Sequence, residues 1–312
     1  MVYGIIGTGA IGGYYGAKLA RAGKDVHFLL HSDYDYVCKH GLVINSCDGD
    51  FMLPSVQAYD ASFKMPQCDV VIVAMKSTNQ SVVPDLIRPL LKEDTLVLLI
   101  QNGIGLEPDL QQSFPNLHIA AGLAFICSGK TEPGVISHQC YGSINIGNYS
   151  CKNSQILSSM IADFSDSGIE TNELEYYEAR WKKAVWNMPF NGMTVVMNAK
   201  TDELLQCKST RQLIRRQMKE VVNAANALGV TALNDDFIEK MIDMTDSMTP
   251  YSPSMKLDFD YNRPMEVNYL YSRPIYEASK VGCDMPCLKM LEEELLFIES
   301  KRKHLCEVNP ES

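Results

Sequence analysis

Short apolar runs alternate with amphipathic segments in the first half of the chain, a pattern typical of a parallel sheet covered by helices. Strands are predicted at residues 2–6, 26–30, 70–74 and 96–100. Helices are predicted at residues 11–22 and 81–91, and Gly23 follows the first where a left-handed residue often ends a helix. This alternation indicates an α/β domain.

The hydrophobic pattern changes at about Glu173. Before it, β-like runs at 134–138 and 143–146 precede a predicted helix at 155–164 and a last strand near 169–172. After it come long helical patterns rich in Met, Leu and Ala. We therefore predict a Rossmann-type, mostly parallel sheet domain over residues 1–172 and an all-helical substrate domain over residues 173–312. Prolines in segment 249–253 should separate the helices before another starts near Ser254.

A glycine-rich loop with G-x-G-x-x-G spacing directly follows the first predicted strand and opens the first helix. In this context the glycines permit a tight turn, close approach of a pyrophosphate and close helix packing, and the helix N-terminus favours phosphate. A glycine turn of an unrelated α/β protein is the alternative, and it is disfavoured because strand, loop and helix are in register. The predicted dinucleotide-binding residues are Gly7, Thr8, Gly9, Ala10, Ile11 and Gly12.

The end of the second strand bears on the choice between NAD and NADP. An NAD enzyme normally places Asp or Glu there to hold the ribose hydroxyls. This chain has His31 and Ser32, with Asp33 only beyond them. Absence of the acid favours NADP (NADPH) with His31 near the 2′-phosphate, although a neutral imidazole carries no charge, so NADH stays open.

A polar stripe crosses an otherwise apolar helix just after the predicted boundary. Lys183, Asn187 and Asn191 are four residues apart, so they advance only about 40° per step and share one face. A solvated helix face is the alternative interpretation. These residue types suit carbonyl reduction, because hydride transfer leaves charge on oxygen that a desolvated lysine can protonate while amides hold the substrate.

Further polar residues follow in the same half of the chain. Ser254 and Asp258 share a helix face, and Glu266 follows a proline at the predicted first turn of another helix. Helix capping or a surface ion pair is the alternative for each, and for Asp258 it is the favoured one.

Length, charge and cysteine usage narrow the class of protein. The 312 residues exceed what one core usually serves, which agrees with two domains. A net charge of −10 argues against nucleic acid or anionic membranes as partners. The ten cysteines show no C-x-x-C pair, so we expect reduced thiols in the cytoplasm and no metal site, including at Cys283 and Cys287. No signal peptide or apolar membrane span is expected.

Five motifs in order give the chain its resemblance to the 2-dehydropantoate 2-reductase (ketopantoate reductase) family. They are the loop from Gly7 to Gly12; Val73, Ala74, Met75 and Lys76; Gln101, Asn102, Gly103, Ile104 and Gly105; Trp181, Lys182 and Lys183 with Asn187 and Asn191; and Ser254 and Met255 followed by Glu266. The resemblance covers nearly the whole chain.

The resemblance implies roles for individual residues. Lys183 would be the general acid and Glu266 would bind the substrate hydroxyl, while Asn102, Asn187, Asn191 and Ser254 would bind substrate. Lys76 and Asn102 would also lie near the cofactor. The family is NADP-dependent and makes pantoate for pantothenate and coenzyme A. Two departures are His31, where the family often has Arg, and Thr201, where some members have Asn, although Asn198 is near.

Two rival functions remain at this stage. One is a reductase of the same fold that takes another small 2-keto acid. The other is a dinucleotide-binding redox regulator without turnover, which the set of Lys183, Asn187, Asn191 and Glu266 disfavours because a sensor needs no buried acid. The expected partner is a small keto acid, catalysis needs no metal, and a homodimer through the helical domain is left open.

Overall fold

A computed structural model describes residues 1–308, and ten strands in this part of the chain form one sheet. The strands are β1 (Val2–Ile6), β2 (Asp25–Leu29), β3 (Leu42–Ser46), β4 (Phe51–Leu53), β5 (Gln57–Tyr59), β6 (Val70–Val73), β7 (Leu96–Leu99), β8 (His118–Glu132), β9 (Val135–Asn148) and β10 (Thr171–Leu174). Their order is β4-β3-β9-β8-β7-β6-β1-β2-β5, and β10 pairs with β9. Every pair is parallel except β3 with β4 and β8 with β9, so the predicted mostly parallel sheet is confirmed.

Helices follow the strands and then make up the rest of the described chain. They are α1 (Ala10–Arg21), α2 (Tyr34–His40), α3 (Val83–Ile87), α4 (Leu106–Ser113), α5 (Ser154–Asp166), α6 (Tyr176–Val196), α7 (Thr201–Gln206), α8 (Lys208–Ala227), α9 (Asp235–Asp246), α10 (Ser254–Asp260), α11 (Arg273–Lys280) and α12 (Pro286–Val308). A π-helical turn at Asn268–Ser272 leads into α11. Within the described residues, no helix combines the length and apolar character needed to cross a bilayer.

The elements with the clearest hydrophobic pattern were predicted with the most accurate bounds. The four strands predicted first correspond to β1, β2, β6 and β7, with ends that agree within one residue. The predicted helix at 81–91 is wrong: only Val83–Ile87 is α-helical, between 3-10 turns at Ser77–Val82 and Arg88–Leu90. Pro89 explains the break, because proline has no N–H for the helical hydrogen bond and clashes with the preceding turn.

A long hairpin of β8 and β9 was not predicted as such. The two β-like runs at 134–138 and 143–146 are parts of one strand, and β8 was missed. Register shifts between Phe125 and Ile126 and between Cys127 and Ser128, with a left-handed Tyr141 opposite (φ 65°), interrupt the alternation of side chains. The short strands β3, β4 and β5 were also missed.

The chain folds as two compact units, each with its own hydrophobic core. The first comprises Met1–Asn102 and Leu106–Ala179. The second begins at Arg180 and also includes Gly103–Gly105, which the chain contributes before it returns to the first unit. In the second unit, Trp181, Val185 and Met188 of α6 are buried in the core, so this helix is held on its apolar side.

Candidate active site

The glycine loop after β1 is shaped by close backbone contacts. Gly7 has a φ of 95°, and a Cβ there would lie 2.5 Å from the Met75 backbone nitrogen. At Gly12 a Cβ would lie 2.3 Å from the Gly7 carbonyl oxygen. Both contacts involve backbone atoms that cannot move aside, so these two positions require glycine for the loop to form.

Gly9 differs from its neighbours because nothing surrounds its missing side chain. A Cβ there would meet no atom within 4 Å, although φ is an unstrained −90°. Helix α1 starts at the next residue without a side-chain cap and with no acidic residue in its first turn. Free N–H groups and an open approach are what a pyrophosphate requires, so the loop fits a dinucleotide.

Two side chains hold the loop and its neighbours in place. The Thr8 hydroxyl donates to the Leu29 carbonyl at the end of β2 (2.8 Å). Buried Gln101 donates through Nε2 to the Met75 carbonyl (3.0 Å) and to Gln80 Oε1 (2.9 Å). No separate role for Gln101 is evident from the sequence, because its partners lie more than twenty residues away.

Asp33, the first acidic residue after β2, makes hydrogen bonds to other residues of the protein. Asp33 is buried, and its carboxylate accepts hydrogen bonds from Lys130 Nζ (2.9 Å to each oxygen) and from the Gly134 N–H (3.1 Å). Burial alone would raise the pKa of Asp33, but the bonds from Lys130 and Gly134 hold that pKa below its ordinary value. His31 and Ser32 are the exposed polar side chains at this strand end.

Lys76 and Asn102 follow two neighbouring parallel strands. Lys76 is exposed and lies after β6, and half-buried Asn102 lies after β7. The carboxyl ends of parallel strands share one edge of the sheet, which is where open α/β sheets bind ligands. The predicted cofactor-binding roles of both residues are consistent with this placement and stay predictions.

The polar stripe lies on α6, as predicted. Lys183 is half-buried, and the side chains of Asn187 and Asn191 are buried. Pro189 stands inside the same helix, so one helical hydrogen bond is missing there. The alternative of a solvated helix face is wrong, because the side chains of both asparagines are buried.

Lys183 is in an environment that favours loss of its proton. Burial lowers the pKa of its ammonium to about 7, and the buried Arg180 guanidinium acts in the same direction. The Glu266 carboxylate, also buried, opposes this and favours the charged form. A lysine with a pKa near neutrality can hold a proton and release it at the working pH.

Asn191 connects the stripe to the start of α10. Its Nδ2 donates to the Asn187 carbonyl (3.0 Å), and its Oδ1 accepts from the Met255 N–H (3.0 Å) and the Ser254 hydroxyl (3.5 Å). The amide oxygen therefore caps a helix that begins 63 residues later in the chain. These hydrogen bonds position Ser254 at the start of α10.

We expect Asn191→Ala to lower the free energy of unfolding by about 1–3 kcal/mol, because it leaves buried backbone groups without their partner. Ser254→Ala is the matched control, since Ser254 is half-buried and its bond to Asn191 is long. It should cost at most about 0.5 kcal/mol. Urea unfolding of the full chain measures both, and equal stability of the two variants would contradict a capping role for Asn191.

Glu266 lies just before the helical turn that leads into α11. Within that turn, the buried Tyr271 hydroxyl donates to the Met188 carbonyl of α6 (2.6 Å). This close approach requires Gly192, where a Cβ would lie 2.6 Å from the Tyr271 oxygen. Sequence reasoning missed both residues, because a tyrosine and a glycine 79 positions apart give no periodic signal.

Asp258, in α10, forms an ion pair. Its carboxylate lies 3.1 Å from Arg263 Nε. The sequence favoured helix capping or a surface ion pair; an ion pair is present, but the Asp258 carboxylate is buried and not at the surface. The predicted start of α10 at Ser254 is also confirmed.

Comparison with known sequences identifies the family. The models described as ketopantoate reductase PanE/ApbA and ketopantoate reductase PanE/ApbA C terminal match residues 3–150 and 175–299. The chain belongs to the ketopantoate reductase family. The resemblance found in the five motifs is thereby confirmed, and the family consists of NAD(P)-dependent oxidoreductases.

Relatives of the ketopantoate reductase family match over almost the full length. A 2-dehydropantoate 2-reductase of Nostoc sp. (strain PCC 7120 / SAG 25.82 / UTEX 2576) is 45% identical over 307 residues, 96% of each chain. The crystal structure of 2-dehydropantoate 2-reductase from Geobacter metallireducens GS-15 has a TM-score of 0.91 at 37% identity, covering 95% of this chain and 99% of that one. A D-mandelate dehydrogenase solved with NADH and anilino(oxo)acetate shares the fold, with a TM-score of 0.86 at 22% identity, over 97% of this chain and 100% of that one.

Proposed function

We propose that this protein reduces 2-dehydropantoate (ketopantoate) to pantoate with NADPH, the step that supplies pantoate for pantothenate and coenzyme A. The observation that carries the proposal is Lys183, whose pKa is lowered to about 7 beside buried Glu266 in a chain of this family. Near neutral pH this lysine exchanges its proton readily, which is what the acid in a carbonyl reduction must do.

The chain's own residues would divide the chemistry as follows. The loop from Gly7 to Gly12 would hold a nicotinamide dinucleotide, which would supply the hydride for the reduction. Lys183 Nζ gives its proton to the keto oxygen as charge develops there, so the product is an alcohol. Glu266 favours the protonated lysine before transfer, because its carboxylate raises the pKa that burial lowers. Asn102, Asn187 and Ser254 bind the substrate, and Asn191 holds Ser254 through the start of α10.

Preference for NADPH over NADH rests on the charges after β2. Asp33, the nearest acid, is bound to Lys130 and Gly134 and is not available to ribose hydroxyls. Exposed His31 and Ser32 follow the strand, and exposed Lys76 follows β6. We assign the 2′-phosphate to His31, since this exposed position does not repel an anion, while Lys76 would lie near the nicotinamide and its ribose. The nine cysteines from Cys38 to Cys287 are free thiols, which supports a cytoplasmic location.

The proposal is tested by following loss of reduced nicotinamide absorbance with ketopantoate, with NADPH and NADH in parallel. We expect turnover with a kcat/KM at least about tenfold higher for NADPH, equal to ~1.4 kcal/mol in transition-state binding. His31→Ala should weaken the binding of NADPH and leave the binding of NADH unchanged. Equal use of both cofactors would contradict the NADP assignment.

A panel of other 2-keto acids separates the remaining functions. The fold is shared with a D-mandelate dehydrogenase, so fold alone does not select the substrate. Faster reduction of another 2-keto acid would indicate that this acid, and not ketopantoate, is the substrate. Tight cofactor binding without oxidation by any member of the panel would indicate a regulator instead.

A further inference from the structure

A cluster of metal-ligating side chains lies in the first unit, outside the residues assigned to the reduction. It consists of Cys47, Asp48 and His138, whose ligand atoms all lie within 4.8 Å of one another. Cys47 and Asp48 follow β3, and His138 is in the neighbouring parallel strand β9. The Cys47 N–H donates to the His138 carbonyl (3.0 Å), so the turn is already joined to the strand.

The imidazole of His138 is oriented toward the other two residues. Its Nε2 lies 2.9 Å from the Tyr141 carbonyl oxygen, which can only accept, so Nε2 carries the proton and Nδ1 has a free electron pair when the ring is neutral. Nδ1 lies 3.8 Å from Cys47 Sγ and 3.9 Å from Asp48 Oδ2. Metal-binding histidines are commonly fixed in this way, with the second ring nitrogen donating to a carbonyl or carboxylate.

The spacing of the donor atoms is close to that of a tetrahedral zinc site. With metal–ligand bonds of about 2.0–2.3 Å, donor atoms in such a site lie about 3.3–3.5 Å apart. The two contacts to Nδ1 need to shorten by about 0.3–0.6 Å, and the widest pair, up to 4.8 Å apart, by up to about 1.5 Å. His138 is buried, but Cys47 and Asp48 are exposed, so their side chains can make this adjustment and solvent can reach a fourth position.

The turn that carries the two exposed ligands is held by its own hydrogen bonds. The Ser46 N–H donates to Asp50 Oδ1 (2.7 Å), and the Gly49 N–H donates to the Ser46 carbonyl (2.9 Å). The backbone that carries the two ligands therefore loses little further freedom when an ion binds. Charge also agrees, because one thiolate and one carboxylate balance a divalent cation, and mixed sulfur, nitrogen and oxygen donors suit zinc better than magnesium or calcium.

We propose that Cys47 Sγ, an Asp48 carboxylate oxygen and His138 Nδ1 bind a divalent cation of the zinc class, with solvent as the fourth ligand. The ion replaces the Ser46 hydroxyl, which lies 2.8 Å from Nδ1 and donates to it in the metal-free protein. By joining the turn to β9, the ion stabilises the first unit. The site requires no nicotinamide cofactor and no substrate.

The test is titration of the chelator-treated full chain with cobalt(II) and with zinc(II), in the presence of a reductant that does not bind metals. We expect one cobalt per chain with an intense near-ultraviolet thiolate band, which zinc displaces. Cys47→Ser should remove the band, and Cys47→Ser and Asp48→Asn should each weaken binding about a hundredfold or more. Both side chains are exposed, so both variants should fold.

Two further variants sharpen the result. Cys207→Ser removes another exposed thiol and should leave cobalt binding unchanged. Ser46→Ala removes the competing hydroxyl and should keep or raise the affinity. A melting temperature that rises by a few degrees at zinc concentrations about a hundredfold above the dissociation constant supports the stabilising role. Absence of saturable binding, or binding unchanged in both Cys47→Ser and Asp48→Asn, overturns the proposal.

Discussion

Lys183→Ala should lower kcat for ketopantoate reduction about 10²–10⁴-fold, the usual range for loss of a positioned general acid. The reason is that Nζ is the group proposed to protonate the keto oxygen, so its loss leaves the developing charge without a proton donor. The substrate KM should change much less than kcat, because the asparagines and Ser254 remain. Steady-state kinetics at fixed pH, with folding checked by thermal unfolding, measure both parameters.

The pH dependence gives this prediction a second readout. Reduction requires the protonated lysine, so kcat/KM should fall as pH rises through about 7, the pKa to which burial lowers Lys183. Lys183→Arg should also be nearly inactive and should lack this limb, because a guanidinium stays protonated across the range.

Lys182 supplies the matched control for these variants. It precedes Lys183 in α6, and its Nζ lies over the Phe237 ring. Lys182→Ala removes a lysine from the same helix and should keep its turnover and its pH profile. Unchanged kcat in Lys183→Ala would contradict the assignment of the acid and would favour a protein without catalytic turnover.

Gly9→Asp should abolish tight cofactor binding while the protein stays folded. Space for a side chain is open at this position and φ is −90°, so the substitution strains nothing. Aspartate is a favoured residue before a helix, and a carboxylate there would raise helix stability by up to about 1 kcal/mol. The same carboxylate would take the N–H groups of α1 and repel the pyrophosphate.

Gly9→Asn separates the effect of charge from that of bulk. Its side chain has nearly the same size and is also a good helix cap, but it is neutral. In Gly9→Asn we expect the affinity for NADPH to fall about 10–100-fold, or ~1–3 kcal/mol, because of the added side-chain volume. In Gly9→Asp it should fall further because of the charge. Fluorescence titration with NADPH measures both. Wild-type affinity in Gly9→Asp would show that the loop does not bind the pyrophosphate.

The sequence was most informative where local pattern and local chemistry coincide. β1, the glycine loop and α1 are continuous in the chain, so hydrophobic runs and glycine spacing together specify the strand, the turn and the helix. The β8–β9 hairpin was missed because its register shifts and the left-handed Tyr141 break the alternation that identifies strands. The predicted domain boundary between residues 172 and 173 stays a prediction.

The candidate site shows the same limit. The spacing of Lys183, Asn187 and Asn191 was sufficient to place them on one helix face. The capping of α10 by Asn191 and the contact of Tyr271 with Met188 were not predictable, because each joins segments more than sixty residues apart. The low pKa of Lys183 likewise depends on burial, which folding alone produces, and the Glu266 carboxylate that opposes it is 83 positions away in the sequence.

Because of the loop Gly103–Gly105, the second unit cannot be produced whole as one continuous segment of the chain. Ile104 belongs to the hydrophobic core of the second unit, and its N–H donates to the Tyr269 carbonyl (2.9 Å). A Cβ at Gly103 would lie 2.5 Å from the same carbonyl oxygen, so this tripeptide is closely fitted to the segment that follows Glu266. A gene fragment starting at Arg180 would encode a core with a missing piece. Recombination between relatives therefore has to exchange this loop together with the helical segment, as two separate inserts.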